Sequence, residues 1–211
     1  MTASNLIALY VSSLITFFVV IDPPGCAPIY AGLSKGASPP HRRAMAIRAV
    51  LVAAAILFVF ALFGEDLLRA LGISLASFRI AGGIMLFLIA LEMVFEKRTQ
   101  RREDRAAKVA GTPEVEDVSI FPMAMPMIAG PGSIASVMLL MSRNDGVEKS
   151  LVVLAALATI LALTLLALLA AGPIMRVLGV KIEAVITRLL GVLLAALAVQ
   201  FVIDGVRISL L

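Results

Sequence analysis

Residues 19–30 read VVIDPPGCAPIY, and they interrupt an otherwise apolar run from Leu6 to Leu33. An acid, three prolines and a glycine fall where a helix should still be crossing a bilayer. Proline removes a backbone donor and clashes with the carbonyl four residues earlier, and glycine admits conformations closed to other residues. The stretch predicts a half-helix ending near Ile21, a second one beginning around Ala27, and carbonyls of Phe18 to Ile21 without helical partners. In lipid each unsatisfied backbone group costs several kcal/mol, so irregular backbone at this depth implies a protein-lined or wet cavity.

The surrounding chain supports a membrane setting. Of its 211 residues, 61% are hydrophobic and 15% charged, with a mean hydropathy of +1.06. A soluble domain is about 45–50% apolar and about 25% charged. A spanning helix needs roughly 20 apolar residues, so a chain of this length holds about six or seven spans and no sizeable soluble domain. Six apolar segments are read: Leu6–Leu33, Met45–Phe63, Leu75–Val94, Val118–Met141, Leu151–Met175 and Ala184–Ile203. They show no period-2 alternation, which disfavours a barrel and predicts an all-α integral membrane protein. The opening MTASNLIALYVSSL has no Lys or Arg and is expected to stay as the first span instead of being removed as a signal peptide. Cys26 is the only cysteine, which excludes an intrachain disulfide and any cysteine-rich metal site.

Charge sets the orientation. The formal net charge of +4 lies mostly in loops, which points to topology and not to nucleic acid. The hydrophilic stretch 96–117, EKRTQRREDRAAKVAGTPEVED, carries Lys97, Arg98, Arg101, Arg102, Arg105 and Lys108 and is predicted to be a cytoplasmic linker. The loops with Lys35, Arg42, Arg43 and Arg48, and with Arg176 and Lys181, then share its side. Both termini are predicted on the non-cytoplasmic face.

The fourth span carries a second interruption, IAGPGSIASVMLL. A shift of 107 residues puts Pro24-Gly25 on Pro131-Gly132 and RALGI from Arg69 on RVLGV from Arg176. With a shift of 109, RIAG from Arg79 meets RLLG from Arg188. Residues 1–95 and 118–211 are therefore read as two three-helix repeats. An odd number of spans inverts the second repeat, the pattern in which paired broken helices mark a transporter site near the midplane.

With Asp22-Pro23-Pro24-Gly25-Cys26-Ala27-Pro28-Ile29 in the first span and Ala129-Gly130-Pro131-Gly132-Ser133-Ile134 in the fourth, nearly the whole chain resembles the MarC family of bacterial inner-membrane proteins. The family pattern is Asn/Asp-Pro-x-Gly-x-x-Pro-Ile and Ala-Gly-Pro-Gly-Ser/Ala-Ile. Asp22 stands where many relatives have Asn, and Cys26 where Asn is frequent. The resemblance implies an inner-membrane protein of a family in which some members look like transporters of small neutral amino acids, in a superfamily with the LysE-type exporters.

The residues suggest how a substrate would be held. A helix N-terminus carries free N–H groups and about half a positive charge, which suits a carboxylate at Gly130-Pro131-Gly132-Ser133, with Ser133 read as an N-cap. Asp22, beside Pro23, Pro24 and Gly25, would suit an ammonium or a cation. Against this, each Pro-Gly can be a simple kink, and Asp22 a helix cap satisfied by local N–H groups. Arg79 and Arg188, early in the third and sixth spans, are read as snorkelling to the interface or as cavity and coupling residues. Glu92 is expected to pair with a loop cation, and Gln200 to line a cavity or bond another helix.

No GxxxxGK[ST], HExxH or GxSxG is present, and His41 sits in a basic loop. No enzyme, cofactor or metal site is expected. The expected function is a secondary transporter of small metabolites such as neutral amino acids, with a passive channel or a membrane scaffold as the alternative. The expected partners are the lipid bilayer, a small-molecule substrate, H⁺ or Na⁺ as coupling ion and further copies of the chain as a homo-oligomer.

Overall fold

A computed structural model describes residues 3–95, 117–144 and 146–210, the side chains of residues 3, 173–184 and 186 aside. In chain order it contains α1 (Ala3–Ile21), α2 (Pro23–Leu33), α3 (Pro39–Ala70), α4 (Leu75–Val94), an irregular wide-turn segment (Ser119–Ile128), α5 (Pro131–Arg143), α6 (Val147–Leu169) and α7 (Ala171–Leu210). No strand occurs among the described residues. Five stretches are long and apolar enough to cross a membrane: Ser4–Leu33, Pro39–Ala70, Leu75–Val94, Val147–Leu169 and Thr187–Leu210. The wide-turn segment and α5, bent by 50°, make a sixth when the bent pair is counted as one span.

Helix ends follow from local chemistry. Proline costs nothing at a first helical position, where no intrahelical N–H bond is due, and it opens α2, α3 and α5. Gly72, at φ +69°, ends α3: its N–H donates to Arg69 O at 3.1 Å and that of Ile73 to Leu68 O at 2.9 Å. This left-handed stop satisfies two orphan carbonyls. Ser74 then caps α4, its Oγ accepting from Ser77 N at 3.1 Å.

Packing depends on small residues, because lipid gives helices little hydrophobic reason to associate. α4 lies antiparallel along α7, the most extensive contact in the bundle. A Cβ at Gly83 would fall 2.8 Å from Ala198 O, and one at Gly205 3.0 Å from Ala76 O, so glycine lets the two backbones touch. α1 packs on α6, and α3 packs on the wide-turn segment, α5 and α6. The larger core joins Phe17, Ile21, Met45, Leu57, Met123, Ile128 and Leu157, whereas Leu51, Phe63, Leu88, Leu189 and Leu193 are exposed toward the position of lipid.

Three local expectations are corrected. α2 begins at Pro23 and not near Ala27, so the first interruption is a single non-helical residue, Asp22. The first half of the fourth span is no α-helix: Phe121 and Met125 are extended, and Pro122 and Pro126 follow them through cis bonds. Two prolines four residues apart remove the donors a helix would need there. The loop expected around Arg176 and Lys181 is helical, within the unbroken α7. After Pro173 that stretch has no proline, and a proline in the first turn is tolerated. The linker expected at 96–117 lies outside the described residues apart from Asp117, which pairs with Arg48.

Candidate functional site

The first broken span turns on Asp22. It is 2% exposed and sits at φ 60°, ψ 64°, the left-handed region. Asp and Asn enter this region more readily than other side-chain-bearing residues. Its N–H still donates to Phe18 O at 2.9 Å, and its carbonyl accepts from Cys26 N at 3.0 Å, so helical bonds lead into and out of the break. The Phe18 carbonyl is thus partnered, contrary to expectation. Helical partners for the Val19 and Val20 carbonyls would be the nitrogens of Pro23 and Pro24, which carry no hydrogen. Asp22 Oδ1 accepts from Gly25 N at 3.1 Å and caps α2. Gly25 leaves the room for this: a Cβ there would stand 2.2 Å from Asp22 Oδ2. Cys26 Sγ reaches back to Ile21 O at 3.5 Å.

The second broken span is built differently. Gly130 is the cap residue, in extended backbone, and a Cβ on it would meet Pro126 O at 2.4 Å. Pro131 is the first helical residue, so Ser133 lies inside the first turn and is not the N-cap expected for it. Ser133 is 3% exposed. One turn further, the fully buried Ser136 hydroxyl has no hydrogen-bond partner among the described residues. Gly132 faces neighbouring helices: a Cβ there would lie 2.5 Å from Ile89 Cδ1, 3.6 Å from Leu86 Cδ2 and 3.5 Å from Val20 Cγ1. Val20, two residues before Asp22, therefore touches the start of α5 in the bundle interior.

The remaining candidates separate. Arg79 is 7% exposed and donates from Nη2 to Ser142 O at 2.8 Å, in the last turn of α5. Helix C-termini leave carbonyls without partners, and an arginine from a neighbouring helix meets that need. Arg188 is exposed. Gln200 is exposed too and donates to Asp204 Oδ1 on its own helix at 2.8 Å. The partner expected for Glu92 falls in the linker, outside the described residues. Sequence reading did not identify the pairing of Arg143 with Asp204 at 2.7 Å, nor Arg143 lying 5.5 Å from the centroid of the Phe201 ring. No spacing rule connects positions so far apart in the chain.

Two cavities flank this core at opposite ends of α3. One, of about 250 Å³, is lined by Tyr30, Pro39, Arg42, Arg43, Leu168, Leu169 and Gly172. The other, of about 150 Å³, is bordered by Ala61, Leu62, Glu65, Met138, Gly146 and Ser150 among others. Met138 closes the second against α3, packing where a Cβ on Gly64 would be only 2.8 Å from it.

The fold and its two proline–glycine breaks define a multi-pass α-helical integral membrane protein with two discontinuous spans. The chain belongs to the MarC family of integral membrane proteins, whose profile matches residues 7–210. It is 36% identical over 205 residues to a UPF0056 membrane protein of Methanocaldococcus jannaschii, covering 96% of this chain and 98% of the relative. It is 33% identical over 197 residues to the UPF0056 inner membrane protein YhgN of Escherichia coli, covering 93% and 95%. To the UPF0056 membrane protein YvbG of Bacillus subtilis it is 32% identical over 193 residues, covering 92% of each. No solved structure matches the chain.

Proposed function

We propose that this protein is a secondary transporter of small metabolites, neutral amino acids being the class to test first, coupled to H⁺ or Na⁺. The observation that carries this reading is the relation between the two cavities. Under the shift of 107 residues that superposes Pro24-Gly25 on Pro131-Gly132, Pro39 and Arg43 fall on Gly146 and Ser150. Ala61, Leu62 and Glu65 fall in the same way on Leu168, Leu169 and Gly172. A recess at one end of the bundle thus has its counterpart, built from corresponding positions, at the other. That supports two inverted repeats, and inverted repeats support alternating access to a site between them. Helix pairing agrees, since α1 against α6 is answered by the wide-turn segment and α5 against α3.

In this reading the packing of Val20, Leu86 and Ile89 on Gly132 opens to admit substrate, with the first turn of α5 and the Ser136 hydroxyl facing its carboxylate and Asp22 its ammonium or the coupling ion. No covalent chemistry is involved. The positive-inside rule supports a cytoplasmic position for the end with Arg42 and Arg43 and non-cytoplasmic termini. YhgN supports a bacterial inner membrane as the location.

Purified protein in liposomes tests the proposal. Saturable, ion-dependent counterflow of a neutral amino acid is expected, lost in Gly132→Leu and weakened in Ser133→Ala, with altered pH or Na⁺ dependence in Asp22→Asn. Each variant is first shown to be folded by its melting curve. Ohmic flux would assign a channel instead, and no flux for any metabolite a scaffold.

A further inference from the structure

We propose that the cavity between Tyr30, Arg43 and Leu168 is a binding site for a small anionic group, a carboxylate or a phosphate, distinct from the broken-helix site. Its two walls differ in kind. α3 contributes Arg42 and Arg43 and its N-terminal turn, and α6 contributes Leu168 and Leu169. Arg42 is held in place: its Nε donates to Ser34 Oγ at 3.1 Å, and its carbonyl accepts from the Tyr30 hydroxyl. Ser34 Oγ in turn donates to Tyr30 O at 2.7 Å, so three residues from α2, its cap and α3 fix the floor. Arg43, exposed on the same turn, remains as the adjustable charge.

The sign follows from magnitudes. The ends of α2 and α6 each bring about half a negative charge toward the cavity, and the starts of α3 and α7 each about half a positive one, so the four dipoles nearly cancel. Two full guanidinium charges are left, and no acidic residue is among the described residues lining the cavity. The counterpart cavity lacks this charge: the position of Arg43 is taken there by Ser150, and that of Gly172 by Glu65, which pairs with Arg69 at 3.3 Å. Duplicate recesses with unlike charge are what separate ligand preferences require. At about 250 Å³ the basic cavity is smaller than the roughly 300–1,000 Å³ of drug-sized clefts, so it suits a compact anion with a short apolar tail resting on Leu168 and Leu169. Two sources present that chemistry, a dissolved anion and the headgroup of an anionic lipid.

The experiment uses full-length protein in a neutral detergent. Calorimetry follows binding of inorganic phosphate and of butyrate, and native mass spectrometry follows retention of phosphatidylglycerol against phosphatidylcholine. The expected result is saturable binding of an anion, weakened about fivefold or more in Arg43→Gln, recovered in Arg43→Lys, and reduced at higher ionic strength. Leu169→Trp, which narrows the cavity without changing charge, should also weaken it. Lys149→Gln removes one positive charge at the opposite end and should leave it unchanged. Binding of phosphate or butyrate assigns a dissolved anion, and selective retention of phosphatidylglycerol alone assigns a headgroup. Absence of all three, or equal effects of Arg43→Gln and Lys149→Gln, overturns the proposal. Calorimetry in detergent requires no gradient, so the outcome is independent of whether liposomes show transport.

Discussion

Asp22 concentrates the chemistry of the first break in one residue. It must accept a left-handed backbone, offer a capping oxygen to Gly25 N and remain buried. Asp and Asn satisfy the first two demands, which gives a physical reason for the Asn/Asp alternation in the family motif. Asp22→Asn is expected to keep thermal stability within about 0.5 kcal/mol of the unmutated protein, since both side chains rank alike as caps. Asp22→Ala loses the cap, about 0.5–2 kcal/mol, and meets a further cost of about 1 kcal/mol in left-handed backbone. Melting curves in detergent check both. Equal melting of the Ala and Asn variants would show that the cap contributes nothing to the fold.

At the scale of elements, the α4/α7 seam is the part least tolerant of added volume. Gly83→Leu should cost about 1–3 kcal/mol or more, because a side chain there meets the β-branched Val202 at 2.7 Å and the backbone of Ala198 at 2.8 Å. Gly32, in the last turn of α2, is the contrasting case, since a Cβ on it would have nothing within 4 Å. Gly32→Ala should stabilise by about 0.5–1 kcal/mol through helix propensity alone. A rise in melting temperature for Gly32→Ala beside a fall for Gly83→Leu is the expected pattern. A neutral Gly83→Leu would mean that the two helices are free to separate.

For the whole molecule the open quantity is direction across the membrane. In a Cys26→Ser background, Lys35→Cys reports the basic end and Val147→Cys, at a residue 77% exposed, the opposite one. A membrane-impermeant thiol reagent applied to intact cells should label Val147→Cys and spare Lys35→Cys, and inside-out vesicles should reverse this. Labelling of Lys35→Cys from outside would invert the orientation and put the basic cavity on the outer face.

Hydropathy, the two proline–glycine breaks and the loop charges made the helical class, the number of spans and the family legible from the chain alone. These are properties of single segments in a solvent that satisfies no backbone group, so each apolar run had to close its own hydrogen bonds. Tertiary structure decided the rest. It made Arg79 the cap of a helix more than sixty residues away, paired Arg143 with Asp204, and filled the space beside Gly132 with Val20, Leu86 and Ile89. It also turned the first break into one capped residue and the second into a proline-directed coil, although the two motifs look alike in sequence. Such outcomes depend on which surfaces meet, and in lipid that is settled by the close fit of small residues and by polar groups finding partners across helices. A pattern read along one segment carries no information about what lies opposite it.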